Sequence, residues 1–300
     1  MIRAAIIGCG NIGKGVFEAI NAAPDFTLAG IVKRNESSKI PKELMKENIV
    51  TNIAELEKTG KIDVAILCLP SRSIPDAAPI YLERGINTID GYDIHTDLWE
   101  VRVKLDECAK KNKAVAVLGT GWDPGSDSVI RAIFECIAPW GKTYTNFGPG
   151  MSMGHTVAVK AVKGVKNAMS VTIPKGQGLH RRMVYIEVED GYDFDKIAET
   201  IKNDAYFVHD ETYVNREKDV TSLIDVGHAS NLIRKGVSGI AHNQIMEYTI
   251  KANNPALTAQ VMISSARAAM KQKPGCYTMI EIPAIDYLYG EKEDLIRRIV

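Results

Sequence analysis

The sequence predicts an α/β protein: a doubly wound parallel sheet in the N-terminal part, joined to a second domain of α+β type. Three observations predict it. Apolar strand-like segments alternate with helical segments up to about residue 120. A glycine-spaced turn follows the first of those strands directly. Beyond residue 137 strand-like segments recur without regular crossovers.

The first strand, 3–7, runs into Gly8-Cys9-Gly10-Asn11-Ile12-Gly13. Gly8 allows a tight turn, Gly10 lets the backbone approach a pyrophosphate, and Gly13 lets the next helix pack close to the strand. This is the dinucleotide-binding fingerprint of a Rossmann-type fold. The helix beginning near Asn11 offers unpaired N–H groups and a positive dipole end to phosphates. A glycine pattern alone also suits an ordinary strand–turn–helix bend, so the second strand, 27–32, decides. It ends where such folds keep an acidic residue for the ribose 2′-hydroxyl. Here Lys33-Arg34-Asn35 stands instead, with Ser37, Ser38 and Lys39 close behind. A carboxylate would repel a 2′-phosphate, whereas a guanidinium neutralises it through two hydrogen bonds. The run reads as an NADP(H) site or as a solvated basic loop, and the fingerprint favours NADP(H).

Strands over 64–69, 87–90 and 114–118, with helices over 74–84 and 97–112, continue the right-handed βαβ pattern. Ligands bind such sheets at the carboxyl ends of the strands. The loops to read are therefore 8–13, 33–35, Cys68-Leu69-Pro70-Ser71, Asp90-Gly91-Tyr92-Asp93 and Gly119-Thr120-Gly121-Trp122-Asp123. A helix over 126–137 leaves this domain. Strand-like segments 165–173, 183–188, 210–214 and 243–250 then suggest a mixed or antiparallel sheet. Pro255, favoured in a first turn, starts a helix over 256–271 that returns to the first domain. The predicted division is 1–122 completed by 255–300, and 123–254.

Composition bounds the partners. Lys+Arg and Asp+Glu both number 37, so the formal net charge is zero and no nucleic-acid surface is expected. No apolar run approaches the ~20 residues that span a bilayer. The N-terminus shows no basic segment followed by an apolar stretch and cleavage site, so a cytoplasmic location is expected. The five cysteines are scattered without a CxxC pair, and the six histidines lack metal-ligand spacing. No metal site is predicted.

The glycine turn, Cys68-Leu69-Pro70-Ser71, Asp90-Gly91-Tyr92-Asp93-Ile94-His95 and Gly119-Thr120-Gly121-Trp122-Asp123-Pro124-Gly125 together resemble the meso-diaminopimelate dehydrogenase family. Phe147-Gly148-Pro149-Gly150, Gly154-His155-Thr156, Arg181-Arg182 and Asn253-Asn254-Pro255 extend the likeness over nearly the whole chain. The resemblance implies an NADP-dependent homodimer that deaminates the D-centre of meso-2,6-diaminopimelate to L-2-amino-6-oxopimelate and ammonia, for lysine and cell-wall precursor synthesis. It implies that Gly10, Asn11, Ile12, Gly13, Lys33, Arg34 and Asn35 line the cofactor. Cys68, Leu69, Pro70, Ser71, Asp90, Gly91 and Tyr92 would join them, with Gly119, Thr120, Gly121, Trp122 and Asp123. The second domain would bind substrate and dimerise. Asp93, Asp123, Phe147, Met153, Gly154, Thr172, Arg182, His228 and Asn254 would contact the substrate, with Asp93 and Asp123 carrying the chemistry at its amine.

Read singly, these residues also suit plain structural roles. Asp123-Pro124-Gly125 is a turn signature with Asp first and Pro second. Asp93 suits local backbone bonds before a helix start, and Asn254 a helix cap. Thr172 suits a strand and Arg182 a solvated edge. The sequence departs from the pattern associated with many members at Met153 (glutamine there) and Phe147 (tryptophan there), which leaves a broader substrate range open. Two other functions fit the fold: a reductase of another small 2-oxo or D-amino acid, and a non-catalytic NADPH-sensing module.

Overall fold

Strand β1 (Ile2–Ile7) is apolar on both faces, as a strand covered by helices on both sides must be. The computed structural model describes residues 1–33, 40–223 and 228–300. After β1 come α1 (Asn11–Ala22), β2 (Phe26–Val32), β3 (Ile49–Val50), α2 (Ile53–Glu57), β4 (Val64–Leu67), α3 (Ile74–Leu82), β5 (Asn87–Asp90), α4 (Leu98–Lys111) and β6 (Val115–Val117). Helix α5 (Asp127–Ile137) leads into β7 (Trp140–Phe147), β8 (Gly150–Met151), α6 (Met153–Lys160), β9 (Val165–Gly176), β10 (Leu179–Val188), α7 (Phe194–Lys202), β11 (Glu211–Arg216), β12 (His228–Ser238) and β13 (Ala241–Ala252). The chain closes with α8 (Asn254–Ala269), β14 (Gly275–Tyr277) and α9 (Lys292–Ile299).

Two compact units result: Met1–Ala132 with Pro255–Val300, and Ile133–Asn254. The first is built on a seven-stranded parallel sheet in the order β14-β6-β5-β4-β1-β2-β3. Its pleat feeds two cores. Ala5 and Ile7 face one side with Ile74 and Ala78 of α3 and Leu105 of α4. Ala4 and Ile6 face the other with Val16 and Ile20 of α1 and Met262 and Ile263 of α8. Each fully buried aliphatic side chain contributes about 1.5–3 kcal/mol relative to exposure. The register pairs Ile7 with Val32 and Leu67, and Leu67 with Asp90, so the loops that follow emerge along one edge.

The C-terminal return is fastened by Arg267 of α8. Its Nε donates to Asp25 Oδ2 (2.5 Å), its Nη2 to Asp25 Oδ1 (2.8 Å), and its Nη1 to the Tyr287 carbonyl (3.0 Å). Burial opposes the charge on Asp25, but Arg267 outweighs it and holds the carboxyl below its ordinary value. Strand β14 extends the sheet beyond β6, which the sequence does not predict; three residues carry too little periodicity to reveal a strand.

The second unit contains a mixed sheet, β11-β10-β9-β8, and an antiparallel one, β13-β12-β7. Its core gathers Val159 of α6, Ala168, Val184 and Ile186 of the mixed sheet, and Ile197 and Ile201 of α7. Arg234 of β12 is almost wholly buried; its Nε donates to the Ala138 carbonyl (2.7 Å) and its Nη1 to Thr143 Oγ1 (2.8 Å). The α+β expectation therefore holds, although β7, β12, α6 and α7 were not foreseen. The compact first unit runs further than residue 122, because Val129 packs on its core and Arg131 is bonded to Asp123.

Candidate active site

The turn after β1 behaves as its glycines require. Gly8 has φ +102°, and a Cβ there would lie 2.6 Å from the Cys68 carbonyl oxygen. A Cβ at Gly13 would lie 2.3 Å from the Gly8 carbonyl oxygen, so only glycine lets α1 start against the strand end. Gly10 has no heavy atom near its missing side chain. Helix α1 has no side-chain cap and no acidic residue in its first turn, which leaves its leading N–H groups and dipole to an anion. These features fit a dinucleotide pyrophosphate. Lys33 follows β2, and its N–H donates to the Val50 carbonyl (2.9 Å). Arg34 and Asn35 lie outside the described residues.

Asp90 and Thr120 turn out to shape this rim. The fully buried Asp90 carboxylate accepts from the Tyr92 N–H (3.0 Å) and the Gly119 N–H (3.1 Å). Its carbonyl accepts from Thr120 N–H (2.7 Å) and Oγ1 (2.8 Å). Burial pushes the Asp90 carboxyl up to about 6 against those two N–H donors. The side chain thus ties the loop after β5 to the loop after β6. Tyr92 and Trp122 are buried as well. Cys68 follows β4, its N–H donating to the Ile7 carbonyl (2.8 Å), and burial pushes its thiol far above its ordinary value.

Asp93 and Asp123 emerge beyond the neighbouring strands β5 and β6. Asp93 is exposed and accepts from Ser71 Oγ (2.6 Å), while its own N–H donates to the same oxygen (3.3 Å). The expected local backbone bonding is replaced by this cross-loop pair. Asp123 is different. It is extended (φ −132°, ψ 124°), and the Ser126 N–H that would close an Asp–Pro turn on its carbonyl donates to the Gly121 carbonyl (2.8 Å) instead. Its mostly buried carboxylate is hydrogen-bonded by Arg131 Nη2 and lies 3.5 Å from His95 Nε2. Burial opposes its charge, but His95 and Arg131 together hold the carboxyl below its ordinary value. Asp123 correspondingly raises His95, against burial.

In the second unit, β8, β9 and β10 align Gly150, Thr172 and Arg182 as cross-strand neighbours. Arg182, 7% exposed, donates through Nη1 to the buried Thr172 Oγ1 and through Nε to Asp210 Oδ2 (2.6 Å). The solvated-edge alternative is excluded for this residue. Phe147 ends β7; its N–H donates to His180 Nε2 (2.8 Å), and its ring stacks on His228 at 6.4 Å and tilts toward His180 at 5.6 Å. His155 Nδ1 lies 2.8 Å from Ser152 Oγ, and its ring meets Tyr206 and Phe207 edge-on. Burial first, and Arg182 second, lower all three histidines, His155 to about 4. Met153 and Gly154 open α6, and Asn254 opens α8. Phe147, Thr172, Arg182 and His228 are thus brought together. Ser152, His180 and Asp210 escaped the sequence reading, as did the part played by His95, Arg131 and His155.

Among the described residues, no His, Cys, Asp and Glu group is placed to hold a metal ion, and no helix is long and apolar enough to cross a membrane. Residues 2–119 match the family model for the oxidoreductase family with an NAD-binding Rossmann fold. Residues 121–254 match that for the diaminopimelic acid dehydrogenase C-terminal domain. The chain is 56% identical to meso-diaminopimelate D-dehydrogenase of Bacteroides fragilis, over 100% of this chain and 99% of that one. The chain belongs to the meso-diaminopimelate D-dehydrogenase family. It is therefore an oxidoreductase of the amino-acid dehydrogenase kind. The Corynebacterium glutamicum family member, 31% identical over 99% of this chain and 98% of that one, extends the match. Its structure in complex with DAP superposes with a TM-score of 0.89 at 30% identity, covering 100% of this chain and 99% of the other. An engineered D-amino acid dehydrogenase bound to NADP+ superposes with a TM-score of 0.86 at 29% identity, with the same coverage.

Proposed function

We propose that this chain catalyses the reversible, NADP-dependent oxidative deamination of the D-centre of meso-2,6-diaminopimelate. The observation that carries the reading is Asp123: a mostly buried carboxylate at the sheet edge, kept ionised by Arg131 and His95. Bound NADP+ would supply the hydride acceptor. The reacting ammonium must first lose a proton, since only the free amine releases hydride, becoming an iminium ion. Asp123 attracts and orients that nitrogen. Asp93, exposed and bonded to Ser71, takes the proton or passes it to water. Water then adds to the iminium carbon, and ammonia leaves with a proton from that water, giving L-2-amino-6-oxopimelate. At the distal end Arg182 grips the carboxylate, with Thr172 and His228 beside it, and the Asn254 amide oxygen accepts from the ammonium. Phe147 walls the pocket, and the main-chain N–H groups of Met153 and Gly154 hold the reacting-end carboxylate.

In this reading the first unit carries NADP(H) on its glycine turn and Lys33-Arg34-Asn35. The second binds substrate and makes a homodimer, working in the cytoplasm in lysine biosynthesis. Mixing the protein with meso-diaminopimelate and NADP+ is expected to produce NADPH absorbance and ammonia. Turnover of a hydroxy acid or semialdehyde instead, with none of the diamino acid, would overturn it. For the cofactor, Arg34→Ala is expected to weaken NADP+ at least about tenfold more than NAD+, measured as the ratio of KM values. Equal loss of both would exclude a 2′-phosphate contact.

A further inference from the structure

Asp210 has no place in the chemistry just described, yet it is the partner of Arg182. It precedes β11, which lies parallel to β10, and its carboxylate reaches the guanidinium at 2.6 Å with 8% and 18% of the two side chains exposed. Arg182 uses Nε for Asp210 and one Nη1 hydrogen for Thr172. The three hydrogens left on the guanidinium suffice for a carboxylate. Asp210 accepts one of these bonds and retains acceptor capacity for a further donor.

The charge inventory of this pocket decides what it takes. Arg182 brings one positive charge and Asp210 one negative charge. His155, His180 and His228 are all held neutral near pH 7, by burial and by Arg182 itself. The pocket is therefore neutral when empty. A lone carboxylate entering it would leave one uncompensated negative charge among buried groups, which is costly. A group bearing a carboxylate and an ammonium on one carbon adds no net charge and offers each member of the pair its opposite.

We propose that Asp210 is a specificity-determining residue: with Arg182 it forms a receptor for a zwitterionic amino-acid end, and it discriminates against substrates whose distal end bears only a carboxylate. The proposal rests on the placing of the distal substrate end at Arg182. It adds Asp210 to Asn254 as an acceptor for the distal ammonium. The test compares meso-diaminopimelate with D-2-aminopimelate, which keeps both carboxylates and the reacting amine but lacks the distal amine. The wild-type chain is expected to favour the diamino acid by about tenfold or more in kcat/KM, because a site built for a charged donor rejects the analogue without it. Asp210→Asn is expected to shrink that ratio about tenfold, through KM, with kcat for the diamino acid little changed. Equal kcat/KM for the two substrates in the wild-type chain would overturn the proposal without any variant. So would an Asp210→Asn protein that loses both substrates by one factor, which is the mark of a residue that only steadies Arg182. Should Asp210→Asn fail to fold, Asp210→Ser supplies the same comparison, with a smaller ratio expected and an unchanged ratio overturning the proposal. Absence of NADPH with either substrate would instead defeat the deamination reading itself.

Discussion

Asp123 stays charged because Arg131 and His95 face it, although solvent is largely excluded from it. Burial is the largest influence on this carboxyl and acts to neutralise it; Arg131 and His95 reverse the outcome. Removing Arg131 while keeping its volume should let burial prevail. Arg131→Leu is therefore expected to raise the carboxyl, moving the acid limb of the kcat/KM profile upward by about one pH unit, equivalent to ~1.4 kcal/mol. The measurement is a pH–rate profile in both proteins, and coincident acid limbs would show that Asp123 does not govern them. Nothing in the sequence marks Arg131 for this duty. It lies eight positions beyond Asp123 on α5, whereas Asp123 itself is extended and outside that helix, so helical period does not relate the two. Arg182 was legible only through family likeness, and Asp210 not at all. Their pairing joins parallel strands separated in sequence by α7, and no local pattern encodes such a contact.

At the scale of the element, the glycine turn and α1 form one mechanical unit. A methyl group at position 13 would meet the Gly8 carbonyl oxygen at 2.3 Å, and backbone cannot move aside as a side-chain tip can. Gly13→Ala should push α1 away from β1 and misaim its N–H groups. The expected cost is about 1–3 kcal/mol of stability, with NADPH affinity falling about tenfold or more. Chemical denaturation and NADPH fluorescence titration check the two effects, and unchanged affinity would remove the turn from the cofactor site. The turn was legible because its constraint is local: strand, glycine spacing and helix follow one another within a dozen residues. The parallel strands β1, β2, β4 and β6 were legible for a related reason, since burial on both faces leaves nearly unbroken apolar runs. Strand β12 was missed because His228, Asn231, Arg234 and Lys235 interrupt its apolar pattern, the buried Arg234 satisfying carbonyls at Ala138 and Pro139. Strand β14 was missed because its partner β6 lies far back in the chain and its length is three residues.

For the molecule as a whole, the buried histidines around Arg182 set how stability responds to acid. In the unfolded chain each takes a proton near its ordinary value of 6.5, whereas the fold resists protonation, His155 down to about 4. The unfolded state then binds more protons between those values, so stability falls as the pH drops through that window. His155 alone should remove on the order of 2 kcal/mol between about pH 7 and pH 5. His95 acts oppositely: its value is raised by Asp123, so its contribution is complete below 6.5 and fades as pH rises through its folded value. The carboxylates of Asp25, Asp123 and Glu281 are held below their ordinary values, so their contribution persists through the histidine window and is lost only at lower pH. Acid should therefore act in two stages, first through neutral histidines and then through paired carboxylates. Urea denaturation of the wild-type chain and His155→Asn at a series of pH values separates the stages. The variant is expected to lose less stability than the wild type between about pH 7 and pH 5, whatever its starting stability, and to follow the same decline below pH 4. Parallel curves throughout would mean that His155 titrates alike in the folded and unfolded chain, and that the pocket around Arg182 is wetter and more readily charged than its packing against Tyr206 and Phe207 implies.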